Sequence, residues 1–296
     1  MSCGPEADFA RSCVPSITSS GHRAALLTDD GVRIEALHTP RTAPAGTPHE
    51  PAAAPAGALA IVLAHGFTGS LERPALRRAA VAFSQHVDVI TFSFRGHGGS
   101  GGRSTVGDRE VFDLAAAVRW ARALGHRRVA TVGFSMGGSV VLRQAAMYGR
   151  QGTDFGQREH GERTVARPDA VVAVSAPARW YYQGTAPMRR LHWVVTRPTG
   201  RLVSRLGLRT RIHPEDWDPV PLSPTEAVPL IAPAPLLLVH GDRDPYFPLD
   251  HPRMLLAAGD PATTELWIER GFGHAENAAD DALLGRIGAW VAARTG

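Results

Sequence analysis

The chain has 296 residues, is 44% hydrophobic and carries a net charge of +4, which suits one large globular domain or a domain with an insertion. All 32 basic residues are arginine, so a Schiff-base lysine and a phosphate loop of the GK[ST] type are both excluded. No apolar run approaches the roughly 18 residues of a membrane span, and no known nucleic-acid module surrounds the basic residues. Neither stable membrane insertion nor nucleic acid is therefore expected.

Residues 1–22 hold both cysteines, Cys3 and Cys13, and read as a disordered leader. The stretch lacks the basic start and apolar run of a secretory signal, so a cytoplasmic location is expected. Two thiols so placed form no disulfide framework and have no zinc spacing, and they are read as incidental. "ALLTDDGVRIEALHT" gives two strand-like runs around Asp29-Asp30-Gly31, a hairpin. Residues 40–57 form a Pro/Ala-rich loop. From there strands and helices alternate. "ALAIVLAHG" is a continuous apolar strand of the kind buried on both faces of a parallel sheet. A helix is predicted over Glu72–Gln85, and the strand "VDVITFSFRG" follows. "DREVFDLAAAVRWARALG" reads as a helix, with Asp108 as candidate N-cap and Gly125 as the stop. "RRVATVGF" is a strand, and the spacing of Val140, Val141, Leu142, Ala145 and Ala146 marks a helix directly behind it. Residues 151–168 are a polar insertion and "DAVVAVSAP" is a strand. Residues 178–233 break the alternation. "APLLLVHGDRD" resumes it, and a helix near His251–Ala258, the strand "TTELWIERG" and a helix from Asp280 complete the chain.

This alternation predicts an α/β fold with a mainly parallel central sheet flanked by helices. Such sheets bind ligands beyond the carboxyl ends of their strands. Polar residues gather at those ends: His65-Gly66-Phe67-Thr68-Gly69, Arg95 to Ser100, Ser135, Asp242 with Asp244, and His274.

Gly133-Phe134-Ser135-Met136-Gly137 stands where a strand turns into a helix. A serine there is held in a strained conformation with its hydroxyl raised above the sheet, and small neighbours let strand and helix backbones approach. In that context the stretch resembles the G-x-S-x-G nucleophile elbow of the α/β-hydrolase superfamily. The resemblance extends over roughly residues 55–295. It implies the α/β-hydrolase fold and a serine hydrolase acting on carboxylic esters or thioesters, with Ser135 as nucleophile. A serine needs a base, and His274, the only histidine after the last strand, matches the family's base. Asp244, three residues past a strand-end glycine, matches the acid that orients the ring. Asp242 is the lesser alternative and is read as a contact to the loop backbone. The amides of Met136 and of Phe67 in "HGFTGS" match the two oxyanion-hole donors. His65, His97 and His240 are read as shaping loops. No metal and no organic cofactor is implied.

Within the family the segment before the penultimate strand is usually a lid. This gives a leader at 1–22, a core at 23–177 and 234–296, and a lid at 178–233. The lid segment holds Trp180, Tyr181, Tyr182, Trp193 and Trp217, and its first part has eight arginines and no acid between positions 178 and 211. One reading is a solvated basic face with aromatics packing lid onto body. Another is an acyl pocket lined by Trp180, Tyr181 and Trp193, with arginines drawing in an anionic substrate. A third is transient membrane-surface contact. Beside ester hydrolysis stand an acyltransferase, a perhydrolase or a peptidase using the same triad, and a non-catalytic ligand-binding homologue.

Overall fold

The uninterrupted apolar runs of the sequence become strands covered on both faces. The computed structural model describes residues 21–42, 59–149 and 165–295. The expected leader up to residue 20, with both cysteines, lies outside them, as do most of the Pro/Ala-rich loop and of the 151–168 insertion. His22, placed in the leader by sequence, instead opens the first strand, where it stands opposite His38.

Eight strands form one sheet in the order β1-β2-β4-β3-β5-β6-β7-β8. They are β1 (His22–Leu27), β2 (Arg33–Thr39), β3 (Leu59–Ala64), β4 (Asp88–Phe92), β5 (Arg128–Phe134), β6 (Ala170–Val174), β7 (Leu236–Gly241) and β8 (Thr264–Glu269). The β1–β2 hairpin joins antiparallel to β4, and all other neighbours are parallel. The helices are α1 (Pro74–Ser84), α2 (Glu110–Ala123), α3 (Met136–Tyr148), α4 (Ala186–Thr196), α5 (Pro198–Gly207), α6 (Pro224–Ala227), α7 (Asp250–Ala258), α8 (Ala275–Ala278) and α9 (Asp281–Thr295). No described helix is long and apolar enough to cross a membrane.

The strand period of two sorts side chains between two layers. Ala60, Val62 and Ala64 of β3 join Val111, Leu114 and Val118 of α2 and Val140 and Val141 of α3. Ile61 and Leu63 point the other way, onto Leu76 and Phe83 of α1 and Leu284, Ile287 and Val291 of α9. Each of the Val, Leu, Ile and Phe side chains so buried contributes about 1.5–3 kcal/mol. Covering both faces leaves the loops at the strand ends as the accessible polar regions.

The cap predicted for α2 is different in the structure. Asp108 does not cap the helix; α2 begins after Arg109, which makes no capping side-chain bond. Glu110 reaches back instead. Its buried carboxylate accepts the N–H groups of Thr105 and Gly107 at 2.8 and 2.9 Å and the hydroxyls of Ser104 and Thr105. A turn fastened this way supplies its own acceptors, and Asp108 turns to Arg143.

Candidate active site

At the carboxyl end of β5 the chain turns into α3 within one residue. Ser135 has φ 51° and ψ −112°, a left-handed conformation costly for a side-chain-bearing residue. The turn closes because its neighbours lack Cβ atoms. A Cβ on Gly133 would overlap the Gly137 carbonyl, and one on Gly137 would overlap the Ala64 carbonyl of β3. The Ser135 N–H is held by Val174 O at 2.9 Å, so the strain is maintained by a neighbouring strand.

His274 follows β8. Its Nε2 is 2.9 Å from Ser135 Oγ, and its Nδ1 is 2.7 Å from Asp244 Oδ2. Asp244 follows β7, and its side chain is fully buried. Burial pushes this carboxyl up, but the His274 ring and the N–H groups of Tyr246 and Phe247, which donate to Oδ1 at 2.8 and 3.1 Å, hold it below the usual aspartate value. The Nδ1 contact fixes the tautomer, leaving Nε2 to accept a proton from Ser135. Tyr246 lies against the imidazole with ring centroids 4.3 Å apart. Asp242 takes the Gly271 N–H at 2.6 Å, a backbone contact away from the imidazole.

Phe67 and Met136 supply the two amides expected to face the serine. Among the described residues no acceptor takes either N–H. The Phe67 loop lies beside the serine, since a Cβ on Gly66 would stand 3.4 Å from Ser135 Cβ. Three groups not assigned to catalysis hold this loop. His65 Nδ1 donates to Gly66 O and its Nε2 accepts the Phe94 N–H. His97 Nδ1 donates to Arg95 O and its Nε2 accepts the Thr68 N–H. Glu276, which the sequence reading missed, accepts the Gly66 N–H at 3.0 Å. Burial pushes its carboxyl up. Its one sequence signal is its place two residues past His274, in the first turn of α8.

A cavity of about 170 Å³ opens over Ser135; one water needs only about 10–15 Å³. Phe67, Val106, Met136, Trp180, Tyr181 and Trp217 line it, with Met188, Leu191 and Val195 of α4. Trp180 Nε1 donates to Pro221 O at 3.0 Å and Trp217 Nε1 to Thr105 O at 2.7 Å, so both indoles are tied at their polar ends. Trp193, expected in the pocket, is not among the residues that line the cavity. The residues of α4 that reach the cavity are Met188, Leu191, His192, Val195 and Thr196, one helical stripe. Trp193 is about 140° around the helix from Met188 and is 47% exposed.

The arginines lie mostly elsewhere too. Arg189, Arg190, Arg197, Arg205, Arg209 and Arg211 are exposed. Arg179 alone of the eight lines the cavity, and it pairs with Asp250 at 3.2 Å. Glu215 and Asp216 line the same space. The segment is stitched to the body where Arg211 N–H donates to Gly96 O and Ser104 N–H to Arg211 O, at 2.8 and 2.7 Å. Val228 and Ile231, near its end, belong to the main core.

This sheet order, with a serine on the strand-to-helix elbow after β5, defines the α/β-hydrolase fold. The family described as "alpha/beta hydrolase fold" matches residues 60–154, the stretch from β3 through the elbow and α3. The solved structures it resembles include esterase Pf2001 of Pyrococcus furiosus, at 20% identity over 93% of each chain and a TM-score of 0.66. Alpha/beta hydrolase GrgF from Penicillium sp. sh18 is 17% identical over 93% of this chain and 99% of its own, with a TM-score of 0.66. Est1E of Butyrivibrio proteoclasticus, solved with ferulic acid, is 18% identical over 90% and 96%, with a TM-score of 0.53. No curated protein matches the sequence.

Proposed function

We propose that the protein is a serine hydrolase of carboxylic esters, thioesters included, working through an acyl-enzyme. The observation that carries this reading is the unbroken series of contacts from Asp244 through His274 to Ser135, at 2.7 and 2.9 Å. As Ser135 Oγ attacks the acyl carbon, its proton passes to His274 Nε2. Asp244 keeps the ring in register and stabilises the imidazolium. The carbonyl oxygen becomes an oxyanion between the Phe67 and Met136 amides, each worth about 3 kcal/mol to the transition state. His274 returns the proton to the leaving alcohol or thiol, then takes one from water as the water attacks the acyl-serine, and passes it to Ser135 Oγ as the carboxylic acid leaves. None of these steps needs a cofactor.

Residues 178–233 act as the lid, with Trp180 and Tyr181 against the acyl group. The lining is largely apolar, and its one arginine is neutralised by Asp250, so an uncharged acyl group fits better than an anion. The Pyrococcus furiosus esterase among the structural relatives supports the same chemistry.

The test exposes wild type and Ser135→Ala to a fluorophosphonate probe, then assays p-nitrophenyl esters of rising chain length. The expected result is labelling of wild type alone, a chain-length optimum, and a fall on the order of 10⁶ in kcat in the variant. A folded wild type that neither labels nor turns over any ester overturns the reading.

A further inference from the structure

Three side chains far apart in sequence meet at the amino-terminal edge of the parallel strands, the edge opposite Ser135. His38 lies near the end of β2, Asp88 opens β4, and His126 lies between α2 and β5. Their ligand-capable atoms are all within 4.8 Å of one another. Both imidazoles turn Nε2 toward one oxygen: Asp88 Oδ2 is 3.1 Å from His38 and 3.5 Å from His126. Two ligand atoms of a tetrahedral zinc ion, each about 2.0–2.2 Å from the metal, stand roughly 3.3–3.5 Å apart. The two distances to Asp88 Oδ2 are therefore close to those of a coordination sphere, and the two imidazoles are near enough to share one ion.

The surroundings suit the same purpose. Asp88 Oδ1 accepts the Arg41 N–H at 2.9 Å, which orients the carboxylate and leaves Oδ2 to face the histidines. The side chains of His38, Asp88 and His126 are 15%, 13% and 3% exposed. The cluster is thus shielded, yet it keeps a route by which an ion and a fourth, water ligand could enter. Two imidazoles and one carboxylate are borderline donors. They suit zinc, cobalt or nickel and not calcium or magnesium, which take oxygen ligands.

We propose that His38, Asp88 and His126 bind one divalent transition-metal ion of the zinc type. The ion ties the antiparallel hairpin strand β2 to the parallel sheet through β4 and through the loop that leads into β5. Placed at the far edge from Ser135, it acts on stability and leaves ester chemistry alone.

Cobalt(II) is the probe, because its visible absorption reports tetrahedral geometry. The full chain, stripped with chelator, is titrated with Co²⁺ and back-titrated with Zn²⁺. Wild type should take up one equivalent with a tetrahedral spectrum that Zn²⁺ erases. Its melting temperature should rise by several degrees at about a hundredfold excess of metal over Kd. Asp88→Asn and His126→Gln should each weaken binding about 100-fold or more, with ester turnover of the metal-free proteins within about twofold of wild type. His38→Gln, at the most exposed ligand, should show the same loss and serves if a buried variant fails to fold. A wild type that gives no one-equivalent tetrahedral spectrum overturns the proposal, as does binding unchanged in the variants.

Discussion

Glu276 accepts the N–H of Gly66 at 3.0 Å, so the turn just past His274 grips the loop that presents the Phe67 amide. The element carrying the proposed base and the loop carrying a proposed oxyanion donor are thus fastened to each other. Ser175, just past β6, ties the same turn to the sheet, its hydroxyl accepting the Ala275 N–H at 3.1 Å. Glu276 touches no reacting atom; it is a positioning residue.

Removing that carboxylate should loosen the donor more than the fold. In Glu276→Ala the Gly66 N–H loses its partner, and a shift of about 1 Å at a reacting centre costs about 10²-fold. Expected is a 10- to 100-fold fall in kcat with KM nearly unchanged. Glu276→Gln keeps an acceptor oxygen and should recover most of the rate. Steady-state kinetics on one neutral ester checks both, and equal losses in the two variants would mean that charge, not position, is what matters.

Asp244→Asn offers a sharper comparison. The side chain is fully buried and accepts from Tyr246, Phe247 and His274. An amide can keep the two backbone bonds on its oxygen, but its NH₂ then faces Nδ1 and favours the wrong tautomer. Expected is a loss of about 10⁴ in kcat, with labelling of Ser135 by fluorophosphonate slowed in parallel and the circular dichroism unchanged.

Trp180 and Trp193 should separate cleanly. Trp180 lines the cavity and packs on Trp217 with ring centroids 5.0 Å apart. Trp180→Ala should shift the preferred acyl chain and raise KM severalfold for the best wild-type ester. Trp193→Ala should leave the chain-length profile within about twofold, since Trp193 lies off the stripe of α4 that lines the cavity. A profile altered only by Trp193→Ala would place the acyl group outside this cavity.

Much of this arrangement was legible in the sequence, for local reasons. Strand-end glycines, a serine between a β-branched run and a helical run, and an acid and a histidine after later strands are near-neighbour signals. A parallel sheet brings all such ends to one edge. What was not legible depends on tertiary placement. Trp193 carried the right residue type, but which stripe of α4 faces inward is set by packing. Asp108 had the right chemistry for a cap, yet Glu110 took the turn's donors from within the helix. Glu276 and Gly66 are 210 positions apart, and His38, Asp88 and His126 meet only because β2 runs antiparallel beside β4. Neither grouping has a spacing that a motif could register.

Buried histidines should make the fold sensitive to mild acid. His65, His97, His240 and His251 are all essentially inaccessible. Burial holds His97 down to about 4 and His251 to about 4, and it lowers His65 and His240 as well. The unfolded chain takes up these protons near pH 6.5. Between pH 6.5 and about 4 the unfolded state therefore binds more protons than the native state, and stability falls as pH falls. For His97 alone the loss from neutral pH to pH 5 is about 2 kcal/mol. Glu276, Asp108 and Asp113 work in the opposite sense, because burial raises their folded values above the unfolded ones, that of Asp113 to about 7, and their contributions decline as pH rises, but they are three groups against four. Urea unfolding at pH 7.5, 6 and 5 should show the midpoint dropping steadily with an unchanged m-value. His97→Gln, which cannot take up a proton, should flatten that slope by up to about 1.4 kcal/mol per pH unit. A midpoint constant down to pH 5 would mean that these rings protonate within the native fold, and the loop contacts drawn from their neutral tautomers would have to be abandoned.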